Sequence, residues 1–227
     1  LYINGKPCGD KLMGVNRHQD YAYIGNAVPN NLHWLDVKKM RDAGFRIIRS
    51  AHYPQDPAFM DACDELGMFI IVATPGWQYW NPEPVFEERI LSDIRNMVRR
   101  DRNHPSVLLW EPVLNETAFP ESFAQNAYRA THEEYPAPGC YAAIDDKSKG
   151  AMGYDVVYTA PKNEAFYRNA GKSCFTREYG DCVDDWNSHN SYSRVAREWG
   201  EEPQIRQAQH YARKDYGGSL TVDQFCK

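Results

Sequence analysis

Apolar positions along this chain fall into short clusters of two alternating kinds, some with a helical spacing and some as near-continuous runs. The opening residues read as a hairpin with Asn4-Gly5 at its turn. Leu12 to Asn16 is a candidate strand, followed by a polar loop, a helix near Leu32 to Ala43 and a strand from Phe45 to Ser50. The next helix is the best punctuated. Asp56 stands at its N-cap, Pro57 at its first position and Gly67 just past its end, while Phe59, Ala62, Cys63 and Leu66 repeat at i, i+3, i+4 and i+7. Met68 to Thr74 is a β-branched run with little alternation, as expected of a parallel strand buried on both faces. A longer helix then carries Phe86, Ile90, Ile94, Met97 and Val98 on one side. Beyond it the pattern predicts a strand at Val107 to Trp110 and a helix around Ser122 to Glu134. Further strands follow near Cys140 to Ile144, Asp155 to Thr159 and Cys174 to Thr176, and Glu202 to Lys214 is a last helical stretch.

Seven strand–helix alternations without linker, repeat or low-complexity run imply one α/β domain over residues 1–227, built on a mainly parallel sheet. A closed (β/α)8 TIM barrel and an open doubly wound sheet both fit that order. No Gly-x-Gly-x-x-Gly follows the first strand, which weakens the dinucleotide-binding version of the open sheet. Polar residues gather where a barrel places its chemistry, at the C-terminal ends of strands. Asn16-Arg17-His18 follows the first strand, Arg49 and His52 the second, Asn115-Glu116 the fourth, Tyr158 the sixth and Glu178 the seventh. The barrel is therefore the expected fold.

Composition narrows the function classes. A formal net charge of −5 provides no global positive field for nonspecific nucleic-acid binding. The longest apolar runs, such as Met68 to Ala73, are too short to span a bilayer. Neither nucleic acid nor membrane is an expected partner. Aromatic residues make up 13% of the chain, many beside Gly, Pro or Asn, which suits the C–H faces of sugars and equally an aromatic core. The six cysteines show no Cys-x-x-Cys pair and read as buried thiols rather than a disulfide framework. Leu1-Tyr2-Ile3-Asn4-Gly5 has neither the basic start nor the apolar stretch of a signal peptide, and with no initiator Met the chain reads as part of something longer.

Two glutamates stand out by position. Glu116 follows the fourth strand and Glu178 the seventh, on different sides of a barrel mouth, so their carboxyl groups can face one another across a pocket. Glycosidic cleavage needs such a pair, one acid to protonate the departing oxygen and one carboxylate to attack or to activate water. With 31 acidic residues in the chain, two solvated loop acids is the competing explanation for each taken alone.

The surrounding motifs change that balance. Asn16-Arg17-His18, Ser50-Ala51-His52-Tyr53-Pro54, Asp101-Arg102-Asn103-His104-Pro105-Ser106-Val107 with Asn115-Glu116, and Glu178-Tyr179-Gly180 occur in this order. Together, from about Asn4 to about Trp186, they resemble the barrel domain of glycoside hydrolase family 2, which contains β-galactosidases and β-glucuronidases. The resemblance implies a (β/α)8 barrel and a retaining exo-β-glycosidase with no cofactor, Glu116 as acid/base and Glu178 as nucleophile. It further implies that Asn115 bonds the sugar 2-hydroxyl, that Arg49 and Tyr158 donate to Glu178, and that His18 and His52 hold sugar hydroxyls. Trp77, Trp80 and Trp186 are candidate stacking platforms or packing residues.

Three departures from the family pattern stand beside the likeness. Trp110-Glu111-Pro112-Val113-Leu114-Asn115-Glu116 replaces the usual Trp-Ser-x-Gly-Asn-Glu, being one residue longer, and its extra Glu111 is a rival acid that lacks a preceding Asn. Ala73-Thr74-Pro75-Gly76-Trp77 lacks the Glu and His of magnesium-binding galactosidases, so no metal is expected there. No clear eighth strand precedes Lys227, so the barrel is expected to be truncated and the family's flanking β-sandwich domains absent. The expected substrate is a terminal β-galactoside of an oligosaccharide, with a β-glucuronide the alternative. From another class, a non-catalytic carbohydrate-binding barrel would share the fold. Flanking domains of a parent chain and a homo-oligomer are the other partners considered, and the compartment stays open between cytoplasm and periplasm.

Overall fold

The computed structural model describes residues 2–8, 11–21, 23–76, 78–114, 117–160 and 162–178. Asn4 and Gly5 turn the opening hairpin with positive φ values of 50° and 74°, pairing β1 (Tyr2–Ile3) with β2 (Lys6–Pro7). Seven parallel strands follow. They are β3 (Gly14–Arg17), β4 (Ile47–Ser50), β5 (Phe69–Ala73), β6 (Val107–Glu111), β7 (Ala143–Asp145), β8 (Val156–Thr159) and β9 (Ser173–Thr176). Between them run helices α1 (Asn30–Asp42), α2 (Pro57–Leu66), α3 (Pro84–Asp101), α4 (Glu121–Glu134) and α5 (Glu164–Asn169).

Spatial order follows chain order, β3-β4-β5-β6 and β7-β8-β9, and the two sheets meet through a parallel bridge between Trp110 and Ala142. Sequential parallel strands with helical crossovers are the topology of a barrel, since an open doubly wound sheet reverses its order part-way. The eighth strand and the Glu202 to Lys214 helix expected from sequence lie outside the described residues. The chain divides into two compact units, and every strand and helix above belongs to the first, residues 1–19 and 28–179. In the second, the described residues 20, 21 and 23–27 include a tight turn in which the Tyr21 carbonyl accepts from the Gly25 N–H at 2.9 Å.

Two apolar layers hold the strands in place. Ile48, Ile70, Val72 and Trp110 turn outward onto Val37 of α1, Phe59, Met60 and Cys63 of α2 and Met97 and Val98 of α3. Ala142, Ile144 and Val157 pack against Ile94 of α3 and Phe123, Ala124, Ala127 and Ala130 of α4. Each large side chain buried in this way contributes roughly 1.5–3 kcal/mol. Both faces of β5 are covered, Ile70, Ile71, Val72 and Ala73 being almost wholly buried, as its unbroken apolar run implied. Cys63 and Cys140 are buried free thiols, and Cys174 is a half-buried one. Among the described residues no helix is long and apolar enough to cross a membrane.

Several motif residues turn out to hold this scaffold. The two oxygens of Asp64 take the His104 ring nitrogen at 2.6 Å and the Ser106 backbone N–H at 3.0 Å, fixing the entry to β6. Arg17, at the end of β3, is buried against α1 and α2, donating to Gln55 and, at 3.0 Å, to Asp36, with its guanidinium 4.2 Å above the Phe59 ring. Helix α5, absent from the sequence reading, starts where Asn163 accepts the Phe166 N–H at 2.9 Å. Its brevity left no apolar period to detect.

Helix α2 begins as its sequence dictates, with Asp56 Oδ1 accepting the Ala58 N–H at 2.8 Å, and it ends at Gly67, whose φ is 68°. Asp56→Ala removes the acceptor and is expected to cost about 1 kcal/mol of stability, read from the midpoint of urea unfolding of the intact protein.

Candidate active site

The side chains that matter stand at the C-terminal ends of the barrel strands. Register places Asn16 of β3 beside Arg49 of β4, Ala73 of β5 beside Glu111 of β6, and Asp145 of β7 beside Tyr158 of β8. Since strand side chains alternate, Ile48 and Trp110 enter the outer layer while their neighbours Arg49 and Glu111 turn the other way. Arg49 and Glu111 then meet across β5. Arg49 Nε donates to Glu111 Oε2 at 2.7 Å and Nη2 donates to Oε1, a side-on bidentate pair. Glu111 is fully buried and the Arg49 side chain only 3% exposed.

The third guanidinium nitrogen continues the chain of charges. Arg49 Nη1 stands 3.4 Å from Glu178 Oε1, just past the end of β9. The other oxygen of Glu178 accepts from Arg177 Nη1, and Arg177 Nε lies 3.3 Å from Asp145 Oδ2. Carboxylate and guanidinium thus alternate through Glu111, Arg49, Glu178, Arg177 and Asp145. Glu178 keeps 24% of its side-chain surface open, so it is the accessible carboxylate of the series.

Burial alone would pull the Arg49 guanidinium below its ordinary pKa, but the charge and hydrogen bonds of Glu111, with smaller help from Tyr158 and Glu178, hold it above that value. Asp145 is pushed up, first by burial, against the pull of the Lys147 N–H and Arg177 and with a further push from Asp146. Tyr158 lies wholly buried beneath Arg49, whose guanidinium carbon is 5.6 Å from its ring centre. Its hydroxyl donates to the Val113 carbonyl at 3.1 Å. That partner differs from the expected Glu178, because the Val113 carbonyl, two residues past the end of β6, lies within reach of the phenol.

His18 and His52 face one another edge to face, ring centroids 5.7 Å apart. Their loops are pinned together by a 2.8 Å bond from the Gln19 N–H to the Tyr53 hydroxyl. His18 is exposed and His52 half-buried, so the pair borders the strand ends. Glu116, Asn115, Trp77 and Trp186 lie outside the described residues. Trp80 is occupied in packing, with its ring 4.6 Å from Phe123 and 5.5 Å from Phe86. The rival acid Glu111 has both oxygens engaged by Arg49, which suits a structural carboxylate better than a proton donor. Sequence reading overlooked Arg177 and Asp145, although one adjoins Glu178 and the other closes the fifth barrel strand. Among the described residues no group of three or more His, Cys, Asp or Glu side chains is arranged to hold a metal ion.

A family model for "Glycosyl hydrolases family 2, TIM barrel domain" matches residues 1–137. The chain belongs to glycoside hydrolase family 2. A β-galactosidase of Thermoanaerobacterium thermosulfurigenes is 38% identical over 138 residues, which cover 60% of this chain and 19% of that protein. The chain therefore spans about a fifth of the length of that relative. Among solved structures, a Bacteroides uniformis β-glucuronidase superposes with a TM-score of 0.60 at 28% identity, over 70% of this chain and 22% of the other. An FMN-binding β-glucuronidase from Facaelibacterium prausnitzii L2-6 gives a TM-score of 0.72 over 93% of this chain and 36% of that one; at 22% identity it speaks for the fold.

Two outcomes test this arrangement in the family 2 barrel. Arg49→Met strands Glu111 as a buried, unpaired carboxylate and is expected to cost about 3–5 kcal/mol, while adding Glu111→Gln recovers part of the loss, as urea unfolding of both variants would read. The second concerns pH. Burial first, then the facing Glu111, holds the Tyr158 phenol well above its ordinary 10.0. The unfolded chain releases that proton near 10.0 while the folded protein keeps it. The Tyr158 contribution is thus complete below this pH and is lost as the pH rises through and beyond it. Stability measured across the alkaline range should fall less steeply in Tyr158→Phe than in the parent.

Proposed function

We propose that this chain is the catalytic barrel of a retaining exo-β-glycosidase that hydrolyses terminal β-galactosides. The observation that carries the reading is Glu178. It is a partly open carboxylate at the C-terminal end of β9, set between the guanidinium groups of Arg49 and Arg177. The two flanking guanidinium groups engage both of its oxygens and hold it at the strand ends, where a nucleophile is required. The β-galactosidase relative supports galactose as the sugar.

In the proposed reaction Glu178 attacks the anomeric carbon while Glu116, neutral at the start, gives its proton to the departing glycosidic oxygen. A glycosyl ester forms on Glu178. Glu116, now a carboxylate, takes a proton from water as that water attacks the same carbon and releases Glu178. Such a double displacement needs the two carboxyl groups about 5–5.5 Å apart. Asn115 is assigned to the 2-hydroxyl, His18 and His52 to other sugar hydroxyls, Arg49 with Tyr158 to the support of the nucleophile, and Trp77 and Trp186 to the sugar faces. Residues 1–227 form one such domain on this reading.

A β-glucuronidase with the same mechanism is the second reading. It is favoured by the Bacteroides uniformis neighbour and by Thr74-Pro75-Gly76 and Glu178-Tyr179-Gly180. Hydrolysis of nitrophenyl β-galactoside and β-glucuronide by the intact protein separates the two. Faster turnover of the galactoside is expected, the reverse preference selects the glucuronidase, and turnover of neither favours a carbohydrate-binding barrel. Glu178→Gln should abolish turnover, and Glu116→Gln should lower it by about 10²–10⁴.

A further inference from the structure

The β6 strand ends in Glu111, where the family motif has Ser, and no part of the mechanism above uses this residue. A carboxylate with no exposed surface is costly unless its charge and lone pairs are met. Here both needs are met by one partner. The side-on pair takes Nε and Nη2 of Arg49, the two nitrogens on one edge of the guanidinium plane. A planar fork held at two points has little freedom to turn, so the remaining nitrogen, Nη1, is aimed along a fixed line. That line ends at Glu178 Oε1, 3.4 Å away. Below the plane lies the Tyr158 ring, 5.6 Å from the guanidinium carbon and anchored by its hydroxyl to the Val113 carbonyl, so the pair is seated on β8 as well.

We infer that Glu111 is a positioning residue for the nucleophile: it clamps Arg49 so that Nη1 faces Glu178, and its charge balances the cation that Glu178 feels. The inference rests on Glu178 being the nucleophile. It assigns no proton transfer to Glu111. The charged and titratable groups around Glu178 among the described residues are Arg49 from β4, Glu111 from β6, Asp145 from β7 acting through Arg177, Tyr158 from β8, and Arg177 itself. Replacing Glu111 with Gln leaves the other members in place and removes one negative charge. The positive charge of Arg49 then acts at the strand ends without that counterweight, and the acidic limb of the activity profile moves to lower pH.

The test uses the intact protein and the better nitrophenyl glycoside, with pH profiles of kcat/KM for the parent, Glu111→Gln and Glu111→Asp. Glu111→Gln is expected to move the acidic limb down by about one pH unit and to lower kcat by about a hundredfold through misplacement of Glu178. Glu111→Asp keeps the charge but withdraws the carboxylate from the fork. It should leave the acidic limb in place while lowering kcat by about tenfold or more. A carboxylate that only stabilises the fold would change the unfolding midpoint and the yield of active protein without moving either limb. A folded Glu111→Gln with an unmoved acidic limb overturns the proposal. Should that variant not fold, Glu111→Asp with the parent's kcat per active site overturns it. An active parent with a dead Glu178→Gln keeps the functional reading intact even then, whereas an active Glu178→Gln removes the nucleophile assignment and this inference with it.

Discussion

The ion pair between Arg49 and Glu111 is the constraint on which the arrangement of the strand ends depends. It joins two strands that are not neighbours, reaching across β5 from β4 to β6, and both partners are almost completely withdrawn from water. Desolvating either charge alone costs several kcal/mol, so neither residue is tolerable without the other. The geometry answers that cost with two charge-assisted hydrogen bonds in parallel, the strongest form such a pair takes. Because the fork is planar, satisfying Glu111 also fixes the plane, and the plane fixes what the outer nitrogen can touch.

Packing outside the barrel makes that contact possible. Ile48 and Trp110 are held in the helix-facing layer with hardly any surface exposed. A slip of one residue in either strand would send these large apolar groups inward and the two charged neighbours outward into the helices. The apolar layer therefore specifies the direction of the polar residues without touching them. On the other side, Asp145 and Tyr158 are paired in register on β7 and β8, and they meet the same group of charges from the three-stranded sheet.

Much of this was legible in the sequence. The limits of α2 were written by Asp56, Pro57 and Gly67, and seven strands followed from apolar runs of the right length. Glu178 was singled out by its place after the last of those strands and by the motif around it. The partners of the charged residues were not legible. Arg49 and Glu111 are 62 residues apart, and no periodicity encodes which carboxylate a buried arginine will select. Glu111 reads as a rival acid just past a strand ending at Trp110, although the strand runs through it. Asp145 was hidden by a boundary, the sequence ending the fifth strand at Ile144, one residue short, and starting it at Cys140, ahead of Ala142, which forms only a single bridge to Trp110.

The departure at Glu111 also changes what surrounds the candidate nucleophile. Arginine beside a lone carboxylate would leave the strand ends close to neutral. Here three carboxylates, those of Glu111, Glu178 and Asp145, share two guanidinium groups. With all five ionised the group carries one net negative charge; burial pushes Asp145 toward its neutral form and eases the crowding. On the proposed reaction, positive charge develops at the anomeric carbon in an oxocarbenium-like transition state. A fixed, partly desolvated carboxylate beside that carbon stabilises it more than water could, because it needs no reorganisation. An isolated Arg49 would oppose the same charge. On the proposed reaction the buried glutamate acts in two ways, steering the arginine toward Glu178 and cancelling the field that the arginine would otherwise impose on the sugar.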